Sequence, residues 1–269
     1  MTGPRVFLTA DGTSLAVERN GIVGADGRLG RERGSWVLWI TARPGHPAGA
    51  EETEALLQEL VALAGRSGGG PARWTARDPT SDDDESAKRA GLDDVRDLLQ
   101  LRRPLPVAPD ERGHLPAITT RPYRPGLDDA RWLEVNNRAF AHHPDQSGKT
   151  PEDLASLTAQ RWFDAAGLLL LDASPSGDRS GRLDGFCWTK VHAEHDPPLG
   201  EIFVIGVDPD ATGHGLGHAL TIAGLDHLHH LGLATGMLYV DVDNTGAVAM
   251  YERLGFSRHH LERLYQGHT

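Results

Sequence analysis

Apolar residues along this chain fall either in short continuous runs or in stripes three to four positions apart, and the two patterns alternate. Ser35-Trp-Val-Leu-Trp-Ile40 reads as a buried strand. Glu51 to Ala64 reads as a helix, with Leu56, Leu57, Leu60, Val61 and Ala64 on one stripe and acids in the first turn. Gly65 to Pro71 predicts a flexible connection and Ala72 to Ala76 a short strand. Ser81 to Glu85 reads as the solvated start of a second helix, and Val95 to Arg103 as a closing strand. Pro104 to Pro116, with prolines at 104, 106, 109 and 116, reads as a linker.

Beyond the linker the signals sharpen. Ala117 to Tyr123 predicts a strand and Pro125 to Phe140 a helix with proline near its start. Thr150-Pro-Glu-Asp153 carries a cap, a first-position proline and a capping-box acid. Gly167 to Asp172 and Leu183 to His192 read as strands joined by a turn-rich segment, and Glu201 to Val207 as a nearly continuous apolar strand. Gly215 to Leu231 predicts a helix, Gly236 to Val242 a strand, and Thr245 to Leu254 a helix ended by Gly255. Phe256 onward returns as the last strand. The expected fold class is α/β (α+β), a mixed sheet flanked by helices, with boundaries at 1–103, 104–116 and 117–269.

Composition narrows the function. A net charge of −11 argues against a nucleic-acid partner, which needs a basic face to displace counterions. No run approaches the ~20 apolar residues of a membrane span, and the opening Met1-Thr-Gly-Pro lacks a secretory pattern. The single Cys187 excludes an internal disulfide. A cytoplasmic protein, monomeric and without a membrane partner, is expected. His227, His229, His230, His259 and His260 lack Cys or acidic partners at ligand spacing, so no metal is expected.

The chemistry concentrates in one stretch: the strand Ile202 to Val207, the turn Thr212-Gly-His-Gly-Leu-Gly217, and the helix that follows. Glycines there let backbone approach a ligand and turn amides inward, and the helix N-terminus adds partial positive charge. The turn suits a pyrophosphate. A P-loop needs Lys-Ser/Thr after its last glycine, where His218 and Ala219 stand. A dinucleotide fingerprint counted from Gly213 would need Gly or Ala where His218 stands.

The stretch resembles instead the Gln/Arg-x-x-Gly-x-Gly/Ala motif of the GCN5-related N-acetyltransferase (GNAT) superfamily, with Thr212 replacing Gln or Arg. Asn244 to Phe256 is similar to that superfamily's last helix, Asn-x-x-Ala-x-x-x-Tyr-x-x-x-Gly-Phe. Asn136 to Phe140 with His143 to Gln146, Trp188 to His192, Gly200 to Pro209 and Leu238 to Asn244 together resemble the mycothiol synthase family of actinobacteria. Those proteins are tandem-domain acetyltransferases acting on cysteinyl-glucosaminyl-inositol.

The resemblance implies acetyl-coenzyme A as co-substrate and a small-molecule amine as acceptor. It implies Glu201 as base, Tyr251 as the acid for the leaving thiolate, and substrate contacts at Asp145 (usually Glu), Lys190, Glu201 and Tyr239. Cofactor contacts fall on Ile205, Gly206, Val207, Thr212, Gly213, His214, Gly215, Leu216, Gly217 and Asn244. It also implies a first domain of the same type, here truncated and degenerate: after Ile40, Thr41 to Ala50 holds two prolines and two glycines, a poor pyrophosphate nest. Acetylation of another amine, or non-catalytic acyl-coenzyme A sensing, are the alternatives, and a sensor needs neither Glu201 nor Tyr251.

Overall fold

The computed structural model describes residues 3–9, 14–32, 34–45, 49–113, 115–141, 146–176 and 178–269. In chain order the strands and helices are β1 (Arg5–Leu8), β2 (Leu15–Arg19), β3 (Ile22–Glu32), β4 (Ser35–Ala42), α1 (Ala50–Arg66), β5 (Pro71–Arg77), α2 (Ser81–Arg89) and β6 (Leu92–Pro104). There follow β7 (Arg121–Pro122), α3 (Asp129–Ala139), α4 (Pro151–Thr158), β8 (Leu168–Asp172), β9 (Leu183–His192), β10 (Leu199–Val207), α5 (Leu216–His230), β11 (Thr235–Asp241), α6 (Thr245–Arg253) and β12 (Ser257–His268). This is a mixed α/β fold. Among the described residues no helix is long and apolar enough to cross a membrane.

The chain forms two compact units, one of Met1–Leu99, Asp241–Asp243 and His260–Thr269, the other of Gln100–Val240 and Asn244–His259. The final strand therefore contributes its last residues to the first unit, where β12 pairs antiparallel with β5 from Glu262↔Arg77 to His268↔Pro71. Strands β1 to β4 form an antiparallel meander, and β4 pairs parallel with β5. Leu56, Leu57 and Leu60 of α1 are fully buried against Leu38, Trp74 and Tyr265, with the last two rings stacked 5.0 Å apart. The apolar stripe read from sequence is the buried face of α1.

The strands before Ser35 carried no such signal. β3 holds Gly24, Gly27 and Gly30 among charged residues. A methyl on Gly27 would come within 3.1 Å of Leu56, and one on Gly30 within 2.7 Å of the Trp39 ring. Neighbouring side chains fill the spaces these glycines leave, so burial is achieved without an apolar run.

In the second unit β7 to β10 are antiparallel neighbours and β10 pairs parallel with β11. One face carries Phe186 and Trp188 of β9 packed with Trp132 and Val135 of α3 and Leu154 of α4. The other face receives α5 at close range. Methyls added to Gly185, Gly236 and Gly200 would lie 2.8 Å from Leu220, Leu225 and Leu228 of α5, and one on Gly224 of α5 would lie 2.5 Å from Cys187 Sγ and 2.6 Å from Ile202. Glycine on one surface beneath leucine on the other seats the helix, and with it the turn that opens it. The expected strand Ala117 to Tyr123 shortens to Arg121–Pro122. The expected helix from Pro125 begins at Asp129, after a turn in which the Gly126 amide donates to Asp129 Oδ1.

Alanine is the better helix former by about 1 kcal/mol, yet the contact at Cys187 leaves no room for its methyl. Gly224→Ala is expected to lower stability by about 2 kcal/mol in urea unfolding. A gain in stability would show that α5 is not held at this distance.

Candidate active site

β9 and β10 build the core of the site. Their register sets Glu201 opposite Lys190 and Leu199 opposite His192. Cross-strand partners and alternate residues share a face, so Lys190, His192 and Glu201 emerge together on the α3 side of the sheet. Glu201 is buried, and its Oε2 lies 2.7 Å from His192 Nε2. His192 Nδ1 lies 2.9 Å from Glu194 Oε1. The hydrogen bond to Glu201 pushes His192 above its ordinary 6.5, with help from Glu194 and against burial and the Lys190 charge. Lys190 Nζ sits 5.1 Å from the Trp162 ring and 5.7 Å from Phe203, two aromatic faces that attract a cation.

Just past Glu201 the sheet opens. Among the described residues β10 and β11 pair at Gly200↔Gly236 and Glu201↔Met237 and no further. On the β9 side the register runs from Ile202↔Thr189 to Val204↔Trp188, a bulge that leaves Phe203 without a cross-strand partner. From there Ile205, Gly206 and Val207 keep β9 on one edge and, among the described residues, have no strand on the other.

That open edge runs into the glycine turn. Asp208 is 1% exposed and receives Arg138 Nε at 2.9 Å, Arg179 Nη1 at 3.1 Å and the Asp210 amide at 2.9 Å. Burial alone would push its carboxyl up; Arg138, the Asp210 amide and Arg179 outweigh it and hold it down at about 2. Gly213 and Gly215 adopt φ of +85° and +74°, the left-handed region that favours glycine. Gly215 is the N-cap of α5, no side chain caps that helix, and the turn from Thr212 to Gly215 is exposed. The first amides of α5 are thus left for an outside acceptor. The Thr212 hydroxyl donates to the Pro209 carbonyl at 2.8 Å, a bond within the turn.

The remaining expected residues lie as follows. Tyr251 is buried in α6, its ring 5.7 Å from Phe256, and burial pushes its phenol above the usual 10. Among the described residues its hydroxyl has no hydrogen-bond partner. Tyr239 is 37% exposed and its hydroxyl accepts from Gln100 Nε2 at 2.6 Å. Asn244 is the N-cap of α6, its side chain accepting from the Ala247 amide at 3.2 Å. Asp145 lies outside the described residues. His192 was not singled out from sequence as a site residue. Its position two residues beyond Lys190 on the same strand is the signal that would have found it.

Residues 132–256 match the acetyltransferase (GNAT) family. That segment is a GNAT domain. Mycothiol acetyltransferase from Streptomyces coelicolor is 50% identical over 184 residues, 68% of this chain and 57% of that protein. The one from Thermomonospora curvata is 46% identical over 198 residues, 73% of this chain and 64% of its own length. The matched stretch thus spans less than two thirds of either relative. Among solved structures, a GCN5-related N-acetyltransferase from Sphaerobacter thermophilus aligns with TM-score 0.72 at 22% identity, covering 95% of this chain and 80% of its own. A tandem GNAT protein from the clavulanic acid biosynthesis pathway aligns with TM-score 0.65 at 16% identity, covering 95% and 82%. These two likenesses concern the fold.

In this GNAT domain the Asp208 cluster anchors the turn between the open edge and α5. Asp208→Ala leaves Arg138 and Arg179 without their buried partner and is expected to cost about 2 kcal/mol at pH 7, less than a fully buried pair because Arg138 is about one-third exposed. The folded carboxyl titrates below its ordinary 3.8. Its contribution is therefore complete above that value and fades as pH falls through about 2. Urea unfolding of wild type and variant should show a gap that narrows below about pH 4. A gap independent of pH would contradict the ion-pair account.

Proposed function

We propose that this chain is an acyl-coenzyme A-dependent N-acetyltransferase that moves acetyl from acetyl-coenzyme A to the cysteinyl amine of cysteinyl-glucosaminyl-inositol. The observation that carries the reading is the opening of β10 from β11 immediately after a buried glutamate, with a left-handed glycine turn at the far end of the opened strand. Relatives at 46–50% identity are named mycothiol acetyltransferase, which supports the reading; the acceptor itself is the one that the family resemblance implies.

A thioester's pantetheine arm carries amides that can pair with the free edge of β10 as a strand would. Its pyrophosphate then reaches the amides at the start of α5, where the absence of a capping side chain and the helix dipole both favour an anion. Held in this way, the thioester carbonyl lies beside the bulge, and an edge amide at Ile205 or Val207 stabilises the oxyanion. Glu201 removes the ammonium proton so that the nitrogen can attack. Tyr251, kept protonated by burial, donates a hydrogen bond to the departing sulfur. Its raised phenol makes outright proton loss unfavourable, so its share is charge stabilisation until the nitrogen's second proton neutralises the thiolate. Lys190 and Tyr239 supply polar groups for the acceptor.

Among the described residues, the start of α1 in the first unit is poorly suited to an anion. The N-cap of α1 is Gly49, whose amide donates to Glu52 Oε2 at 3.0 Å. Glu51 and Glu52 are bridged by Arg19 at 2.6 and 3.5 Å. Two carboxylates in the first turn repel a pyrophosphate, and this supports one acetyl-coenzyme A site per chain.

Acetyl transfer to cysteinyl-glucosaminyl-inositol should exceed that to a panel of other amines, and Glu201→Gln should lower kcat roughly 100-fold with KM for acetyl-coenzyme A little changed. Preference for a panel amine would transfer the reading to another acceptor. Unchanged turnover in Glu201→Gln would remove the base.

A further inference from the structure

The mechanism just given leaves one proton without a route. Acetylating an ammonium by a thioester yields an amide, a thiol and one proton for bulk water. Glu201 faces away from solvent, its side chain 9% exposed. Its Oε2 meets His192 Nε2 at 2.7 Å, His192 is itself 13% exposed, and His192 Nδ1 meets Glu194 Oε1 at 2.9 Å. Glu194 is 69% exposed. The three side chains form a continuous hydrogen-bonded file from the buried base to water.

We propose that His192 is a relay and positioning residue, taking from Glu201 the proton that Glu201 removes from the substrate ammonium and passing it to solvent at Glu194. This rests on the amine-acetylating role of Glu201. The 2.7 Å contact with Glu201 is that of the protonated ring, with Nε2–H donated to Glu201 Oε2 and Nδ1–H to Glu194; the form that starts turnover is the neutral ring that keeps the Nδ1 proton and leaves Nε2 able to accept. The ammonium N–H bond breaks, and its proton goes to Glu201 and on to His192 Nε2, leaving an imidazolium between two carboxylates. The Nδ1 proton then leaves by Glu194, and the imidazole returns to its starting tautomer in exchange with water. The nitrogen's second proton, released after attack on the thioester carbon, goes to the sulfur as the C–S bond breaks, while Tyr251 stabilises the thiolate by a hydrogen bond. Electrons and protons balance, with one proton reaching bulk per turnover.

Acidity explains why a histidine belongs here. α-Ammonium groups titrate near ~7.8 and glutamic acids in water near ~4.3, so proton transfer to a lone carboxylate is uphill by about 3.5 pH units. A histidine whose titration lies above 6.5 closes most of that interval. Four charged or titratable groups face the His192 ring. Glu201 comes from β10; Glu194 and His195 from the turn after β9, the His195 ring 5.9 Å away; and Lys190 from β9 itself. The two carboxylates favour the imidazolium and Lys190 opposes it.

The test is the pH dependence of kcat for acetylation of an α-amine. Wild type should lose activity on an acid limb above pH 6.5, where His192 becomes protonated before the amine arrives. His192→Gln keeps a donor toward Glu201 but cannot titrate; it should lower the plateau by about 10- to 100-fold and move the limb toward the carboxylate range. Glu194→Gln, at an exposed position that leaves the buried pair intact, should shift the limb to lower pH. A His192→Gln variant with wild-type plateau and limb would overturn the relay, as would an unmoved limb in Glu194→Gln.

A readout independent of turnover is the His192 titration followed by NMR. Its midpoint should fall toward 6.5 in Glu201→Gln, and an unchanged midpoint would show that the pair is uncoupled. Wild type that acetylates no α-amine, with the NMR coupling present, would locate the failure in the functional reading instead.

Discussion

The parallel pairing of β10 with β11 stops after two residue pairs, and the site depends on that interruption. A strand with one free edge in a largely buried sheet carries amide and carbonyl groups that need partners. The bulge at Phe203 begins at the same point, so backbone direction changes just where pairing is lost. Glu201 is the last paired residue and the open edge starts beyond it. One local departure from regular sheet geometry therefore sets a buried carboxylate beside a backbone edge able to receive an amide-bearing ligand. The turn at 212–217, proposed to receive the other end of such a ligand, is fixed by α5, and α5 is fixed by glycines at 185, 200, 224 and 236 that bring it against the strands.

The starts of α5 and α1 differ in how their first amides are satisfied, and the proposed anion site rests on that difference. Both units follow a strand with a loop and a helix. In the second unit the helix opens with Gly213, His214 and Gly215 and has no side-chain cap. In the first, Glu52 occupies the amide of the N-cap residue and Glu51 adds a second charge. The capping that stabilises α1 occupies the position an anionic ligand would need. The first amides of α5 have no side-chain cap, which suits them to binding an outside acceptor.

Much of the second unit was legible in the sequence because its strands are continuous apolar runs. β8 and β10 are bounded by turns, and Thr150 with Pro151 marks the start of α4, where the Thr150 side chain accepts the Asp153 amide. The glycine turn was legible because three glycines precede an apolar helix. β3 was not, since its glycines are roofed by Trp39, Leu56 and Leu60 from elsewhere in the chain. The His192–Glu201 contact was hidden for a different reason. It depends on strand register, and the segment between the two residues gives no indication of which residue faces which. The final strand read correctly as a strand, but no local pattern reveals that its last residues pair with β5.

The central claim is that the opened edge of β10, the turn at 212–217 and the start of α6 together form one acetyl-coenzyme A site. Hydrogen–deuterium exchange with and without acetyl-coenzyme A tests it most directly. The account predicts ligand-dependent protection of amides at 203–207, 212–218 and 244–251, and none at 38–52. Protection centred on 38–52, or absent from 203–207, would contradict it.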